Sequence, residues 1–259
     1  KYYLQYSGPG TQYKSYTDGV YVAENPLGPF QVQKHNPFSY KPEGFINGAG
    51  HGSTFSDSCG NFWHMGTMSI SVKHNFERRL GLWPAFFDKD GTFYTYTAYG
   101  DFPHELPKGK MKSLEDYQPK WMLLSYNKPV EVSSSLEGYS KGNAVNEDIR
   151  TYWSAASGEK GEWFMIDLLE KCNVYALQVN FAEQQSTLLG RSDSIYYQYK
   201  IESSSDKRNW KTIVDKTQNK NDCPNDYIEL DKKVNTRYLR IVNYRVPSGN
   251  FAISGFRVF

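Results

Sequence analysis

The sequence lacks most of the features that would take it out of the ordinary globular class. No apolar run approaches the roughly 20 residues of a membrane-spanning helix. Lysine and arginine number 30 against 28 aspartates and glutamates, a net charge of +2. The basic residues form no stripe, which excludes a nucleic-acid footprint. The three cysteines, Cys59, Cys172 and Cys223, stand in no metal-ligand spacing. Their odd number rules out complete internal pairing, leaves Cys172 with Cys223 as a pair to consider, and argues against a disulfide scaffold. Helical periodicity is missing from the first part of the chain. An initiator Met and a signal peptide are also missing, and the chain opens directly on strand-like residues 2–6. It therefore reads as a mature or truncated product, and the lack of a signal excludes no compartment.

Aromatics, by contrast, are plentiful: 16% of the chain, with 21 tyrosines. Tyrosine pairs a flat apolar face with a polar tip, which suits β-sheets and carbohydrate surfaces. A length of 259 residues with 39% hydrophobic and 22% charged content indicates a folded protein of one or two domains. Residues 1–105 are a series of short alternating segments, KYYLQYS, DGVYVAE, HGSTFSD, NFWHMGTM, WPAFFDKD and GTFYTYTAYGD. Turns such as NPLGP, DSCGN and DKDG bound them, so an antiparallel all-β fold is expected, in propeller blades or a sandwich. Residues 106–128 are rich in Lys and Pro and lose the alternation. They are expected to be a linker ordered by packing of Trp121, Met122 and Leu123. From residue 129 to 259 a second set of strands, among them WFMIDL, NVYALQVNF, DYIELD, RYLRIVNY and FAISGFRVF, predicts one β-sandwich.

The most informative stretch is 48–68, GAGHGSTFSDSCGNFWHMGTM. It predicts a hairpin: strand 51–56, turn 57–61, strand 62–68. Gly48, Gly50 and Gly52 bracket His51, which suggests a left-handed backbone or a close approach there. Two readings stand open on these residues alone, a satisfied core histidine at a hairpin corner and a histidine pointing into a cavity.

The second half carries a resemblance. SKGNAVNEDIRTYWSAASGEKGEWFMIDLLEKCNVYALQV, SSSDKRNWKTI, TRYLRIVNY and AISGFRVF follow in the order found in coagulation factor 5/8 type C, or discoidin, domains. The resemblance implies a galactose-binding-like jelly roll, the architecture of family 32 carbohydrate-binding modules. It implies that Trp153, Trp163 and Trp210 are core. It also implies a structural Ca²⁺ in the loop 143–151, with Asn146, Asp148 and Thr151 as oxygen ligands. The family's C-terminal Glu is replaced here by Gly255. No sugar-binding residue carries over, and the loops 184–193 and 244–250 are where a ligand is expected. Gln184, Gln185, Arg191, Asp193, Arg245 and Asn250 offer polar groups there, and Tyr139, Tyr152 and Tyr244 offer ring faces.

The first half resembles the second half of a glycoside hydrolase family 43 catalytic domain, through KYYLQYSGPGTQY, NPLGPF, the 48–68 stretch and FERRLGLWPAFFDKDGTFY. That resemblance implies part of a five-bladed β-propeller with an axial site. His51 falls on the family's axial histidine and Arg78, with Arg79 as rival, on its substrate-facing arginine, a planar donor fork suited to sugar hydroxyls or carboxylate. A glycosidase needs a general acid and a general base. The family's two Asp and one Glu would all precede Lys1, so no catalytic residue is assigned. Asp18, Glu24, Glu43, Asp57, Glu77, Asp88 and Asp101 are read as turn formers and surface charges.

The expected whole is an all-β protein, part of a propeller followed by a jelly-roll sandwich. It reads as the C-terminal portion of a secreted or periplasmic glycoside hydrolase acting on arabinosyl or xylosyl glycosides, with a glycan-binding module. Its expected partners are a plant-type polysaccharide or oligosaccharide and the missing N-terminal propeller segment. The alternative is a non-catalytic glycan-binding or adhesion protein.

Overall fold

The computed structural model describes residues 1–71, 77–188 and 194–259. It is built of strands, with two short 3₁₀ turns, Leu114–Asp116 and Lys141–Ala144, among the described residues. The chain divides into two compact units, Lys1–Lys120 and Trp121–Phe259.

In the first unit, β1 (Tyr2–Gly8), β2 (Thr17–Ala23) and β3 (Gln31–Val32) form an antiparallel sheet in that order. A second antiparallel sheet runs in sequence order through β4 (Asn47–Ser56), β5 (Phe62–Ser69), β6 (Arg78–Phe87) and β7 (Phe93–Thr95). The hairpin expected in 48–68 is β4 and β5. Its turn is organised by Asp57, whose Oδ1 accepts from the amides of Cys59 and Asn61 and whose Oδ2 accepts from the Asn61 side chain and the Trp63 indole. The Trp63 hydrogen bond is the main reason the Asp57 carboxyl lies near a pKa of about 2. Its support for the turn is complete above the ordinary carboxylate value and is lost as pH falls toward that figure.

The segment GTFYTYTAYGD gives only three strand residues. Beyond Thr95 the chain bends through turns at Gly100 and Phe102, and Tyr99 packs edge-on against Tyr96 and Phe102. The apolar interior of this unit is divided among small clusters. Val20, Phe38, Ala85 and Phe93 form one, Ala49, Met68 and Trp83 another, and Trp63, Met111 and Tyr117 a third. The outward positions of β1, Tyr2, Leu4 and Tyr6, remain exposed.

The second unit has one continuous core. Its strands are β8 (Val130–Val132), β9 (Trp153–Ser154), β10 (Trp163–Phe181), β11 (Gln198–Ser204), β12 (Lys211–Asp215), β13 (Asn225–Arg245) and β14 (Ala252–Val258). They hydrogen-bond in the order β12-β11-β13-β10-β14-β9, with β8 on β10, in a jelly-roll-like arrangement. Two pairs of expected strands are fused. WFMIDL and NVYALQVNF are both β10, and DYIELD and RYLRIVNY are both β13. The chain bends by shifting register between Asp167 and Cys172 and between Val174 and Ala176 instead of turning, and Leu169 takes a φ of 74° at the first irregularity. Trp153 is fully buried, but the other two expected core tryptophans are not. Trp163, at the start of β10, is half-buried. Trp210 is half-buried too, with the Arg240 guanidinium 4.0 Å from its ring centroid and its indole donating to the Lys207 carbonyl.

The stretch expected to be a linker is not uniform. Met111 and Tyr117 are buried in the first unit, and Trp121 stacks on Tyr175 in the second. Met122, expected to pack, is 81% exposed because it lies outside both cores.

Candidate functional site

The site builds from β4, where the register against β5 shifts twice, between Asn47 and Gly50 and between Gly50 and Ser53. Such irregularities release backbone groups from the ladder and re-aim side chains. His51 lies within the second of them, with a φ of 55° and an exposed side chain. It is therefore not a satisfied core histidine, the first of the two readings its sequence left open. The flanking glycines are required by close approach. A Cβ on Gly50 would lie 2.7 Å from the Tyr16 ring, and one on Gly52 would lie 2.3 Å from His64 Nε2 and 2.4 Å from Asp18 Oδ2.

Beneath His51 lies a polar network that the sequence reading missed. Asp18 faces Ser7 across the β1–β2 pair and is 1% exposed. Its Oδ1 accepts from the Ser7 hydroxyl, and its Oδ2 accepts from the Gly52 amide at 2.8 Å. The same Oδ2 is 3.0 Å from Nε2 of the fully buried His64. Thr54 Oγ1 takes a hydrogen bond from Gln5 Nε2 at 2.6 Å and lies 3.0 Å from His64 Nδ1. Thr54 thus has its own proton left for Nδ1, which makes Nε2 the donor to Asp18. The His64 ring is held between Phe38, edge-on at 4.8 Å, and Trp83, stacked at 6.1 Å. Asp18 is thus no surface charge. The side chain of Asp101, also read as surface, is 1% exposed and pairs with Lys41 at 3.1 Å. Both carboxylates are held inside by cationic or hydrogen-bonding partners.

Arg78, at the start of β6, is half-buried. Its guanidinium donates to the Thr11 carbonyl and lies 5.6 Å from the centroid of Tyr16, the ring that packs on Gly50. Burial pulls its pKa below the usual guanidinium value. Arg79, the rival, is exposed and donates to the neighbouring Arg78 carbonyl. Tyr16 therefore joins Arg78, rather than Arg79, to the backbone that carries His51.

In the second unit the loops 184–188 and 246–250 meet. The Asn250 amide donates to the Gln184 carbonyl, and the Thr187 amide donates to the Ser248 hydroxyl. Tyr152 donates to Gln184 Oε1 at 2.7 Å, and its ring lies 4.8 Å from that of Tyr139. Three residues expected to face a sugar instead brace the loops. Gln184 is buried by Tyr152. Asn250 is buried and donates to the Ala155 carbonyl, and Arg245 donates to the carbonyls of Ser194 and Tyr196. Tyr244 lies under Lys160 and Lys200, while Gln185 is exposed. Arg191 and Asp193 lie outside the described residues.

Asn146, Asp148 and Thr151 do come together, but as a self-satisfied turn. Asn146 Oδ1 accepts from the Asp148 amide, its Nδ2 donates to Thr151 Oγ1, and Asp148 Oδ1 accepts from the Arg150 amide. The remaining acidic side chain of the loop, Glu147, is held by both arms of the Arg257 guanidinium, at 3.0 and 2.8 Å. Arg257 is 1% exposed. Among the described residues no cluster of three or more His, Cys, Asp or Glu side chains can hold a metal. Calcium requires several free oxygens and net negative charge, and here the oxygens are engaged and a buried cation already stands beside them. The donor set does not fit the ion. The chain's melting temperature is expected to be the same, within about 1 °C, in millimolar calcium and in chelator, because only a ligand that binds the folded state raises it. A calcium-dependent rise of several degrees in differential scanning fluorimetry would overturn this.

The comparisons with known proteins follow the same division. The sequence model of the glycosyl hydrolases family 43 matches residues 1–104, and that of the F5/8 type C domain matches residues 129–254. A solved glycoside hydrolase is similar over 100% of this chain at 20% identity, with a TM-score of 0.50. This chain spans 57% of that protein's length. Chitosan-binding module 1 of a chitosanase/glucanase from Paenibacillus sp. IK-5 is similar over 54% of this chain and 99% of its own, at 23% identity and a TM-score of 0.43. The family 32 carbohydrate-binding module of NanJ from C. perfringens, solved with galactose, is similar over 52% of this chain and 96% of its own, at 12% identity and a TM-score of 0.43. No curated protein matches the chain. The chain thus carries, in order, a match to the family 43 glycosyl hydrolase model and a match to the F5/8 type C domain model.

Proposed function

We propose that this pairing makes the chain the C-terminal portion of a glycoside hydrolase of plant-type arabinosyl or xylosyl glycosides, with a glycan-binding module attached. The observation that carries the reading is the succession of the two family matches, residues 1–104 and then 129–254, on one chain. The sheets of the first unit are read as part of a five-bladed propeller, with His51 and Arg78 toward the sugar. Two features support that placement. His51 is exposed on a left-handed backbone, a conformation whose cost is usually met where a residue serves a site. Arg78 is tied through Tyr16 to the same backbone.

The acid and base carboxylates are proposed to lie in sequence preceding Lys1. The chain's own carboxylates favour this, since Asp18 and Asp101 are engaged in the interior and Asp57 and Asp88 accept backbone amides in turns. A secreted or periplasmic location accompanies the reading, where polymer is found. In the second unit the ring faces of Tyr139 and Tyr152 and the exposed Gln185 are the proposed sugar contacts. Binding by such a module alone is weak, and its value lies in keeping a tethered enzyme near polymer.

The test is an NMR titration of the 259-residue chain with arabinose, xylose, galactose and their oligosaccharides. Shifts at His51 and Arg78 with the pentoses, and at residues 139, 152 and 185 with one of the sugars, are the expected result. Silence at both places at millimolar sugar would refute the reading.

A further inference from the structure

We infer that Asp18 is a positioning residue, whose buried carboxylate holds the His51–Gly52 backbone in the left-handed turn that presents the His51 ring. The inference rests on the proposed sugar-facing role of His51 only for its functional meaning; the geometry stands apart from it.

A non-glycine residue at positive φ persists only where the surroundings over-determine it. At His51 they do. The His51 amide donates to Ser7 Oγ at 2.8 Å, and the Ser7 hydroxyl in turn donates to Asp18 Oδ1. The next amide, Gly52, donates directly to Asp18 Oδ2 at 2.8 Å. The two backbone N–H groups within the register shift between Gly50 and Ser53 thus end on one carboxylate, one of them through a hydroxyl. The carboxylate is itself anchored. The His64 ring also holds Oδ2, at 3.0 Å, and the Asp18 backbone is fixed by hydrogen bonds to Phe38 and Ser39. The missing side chain of Gly52 is part of the device, because a Cβ would occupy the space where Asp18 and His64 meet. A buried carboxylate used only for packing would not gather two consecutive amides of an exposed, left-handed histidine. An acceptor that gathers them sets the direction in which that side chain leaves the sheet.

The test uses amide hydrogen exchange of the full chain by NMR. In the unaltered chain the His51 and Gly52 amides are expected to exchange slowly although His51 is exposed. In Ser7→Ala the His51 amide alone should exchange about tenfold faster, the loss of one hydrogen bond read as an opening equilibrium. In Asp18→Ala both amides should speed up by at least about that factor and the His64 ring resonances should move, because neither acceptor oxygen remains for Gly52, Ser7 or His64. The amides of Trp83 and Phe93 in the neighbouring clusters should be unchanged, which separates positioning from general loosening. Fast exchange of His51 and Gly52 in the unaltered chain would overturn the inference, and so would a Ser7→Ala variant in which both remain slow. These readouts need no sugar. If the protection pattern holds while pentoses leave His51 unshifted, the positioning role stands and the proposed function fails.

Discussion

Replacing Trp153 by alanine is expected to destabilise the second unit by about 3–5 kcal/mol, the range for truncating a large buried aromatic. Trp153 is fully buried and sits at the junction of β9 and β14, where its backbone pairs with Ile253. Its ring meets Phe251 edge-on at 5.6 Å and Phe164 at 5.1 Å, and its indole donates to Ser135 Oγ at 2.9 Å. Removal leaves a cavity beside the Phe251 and Phe164 rings and takes the indole donor from Ser135, whose exposed hydroxyl can bond water instead. Urea unfolding followed by far-ultraviolet circular dichroism measures the loss. Trp153→Phe keeps most of the ring contacts and gives up the indole hydrogen bond, so its cost should fall well short of the alanine variant's. A loss under about 1 kcal/mol for Trp153→Ala would show that the site collapses freely. Trp163→Ala, by contrast, should cost less than Trp153→Ala, because the ring is only half-buried.

The second large effect is expected at Arg257. Its guanidinium is buried near the C-terminal end of the core strand β14, bonded twice to Glu147 and once to Gln178 Oε1 at 2.9 Å. Arg257→Ala leaves the Glu147 carboxylate mostly buried without its cation, and removing one member of such a pair costs about 3–5 kcal/mol. Arg257→Lys keeps the charge but loses the fork that engages both oxygens, so it should recover only part of the loss. Removing both charges together, as in Arg257→Met with Glu147→Gln, should cost much less than Arg257→Ala alone. Equal losses in the single and double variants would mean that the pair is not coupled. The experiment also bears on calcium. If the guanidinium serves where related domains are expected to hold an ion, adding calcium should leave the wild-type unfolding curve in place.

What could be read from the sequence was what alternation and turn chemistry encode. The hairpin in 48–68 was visible because DSCGN is a strong turn flanked by alternating residues, and the structure places β4 and β5 there. The glycines around His51 signalled close approach, and Tyr16, Asp18 and His64 are what approaches. Tyr16 and Asp18 were not legible as those neighbours, because they come from the loop before β2 and from β2, and pairing between distant segments is not written in local pattern; His64 lies in the expected hairpin itself, but its partner Asp18 does not. Asp18 misled for a related reason. An Asp before a Gly reads as a turn, yet it lies in a strand at an inward position. Its one local sign was the alternation with Val20, also buried. Polar residues in the second unit's loops were legible as polar, but not as donors already committed to carbonyls. Gln184, Arg245 and Asn250 all look free in sequence and are bracing in space. The tryptophans divide similarly. A motif identifies Trp153, Trp163 and Trp210 alike, and only the place of each in the fold, within β9, at the start of β10 or just before β12, decides which is enclosed.

The placement of β14 has a consequence for how the second unit comes into being. The last strand of the chain lies between β10 and β9, and every one of its residues is buried. Leu177 on β10 has Val258 as its partner, and Trp153 has Ile253. During synthesis, β8 to β13 emerge with the slot for β14 unfilled, and their apolar inner faces wait until residues 252–258 are clear of the ribosome. Such closure by distant pairing is slow compared with the growth of a hairpin. The first unit is different, since each of its pairings joins strands that follow one another in sequence and can form as they emerge. The ribosome therefore meets the two units in opposite states: the first can order itself strand by strand, while the second depends on its final strand and is the one for which a chaperone has most to hold.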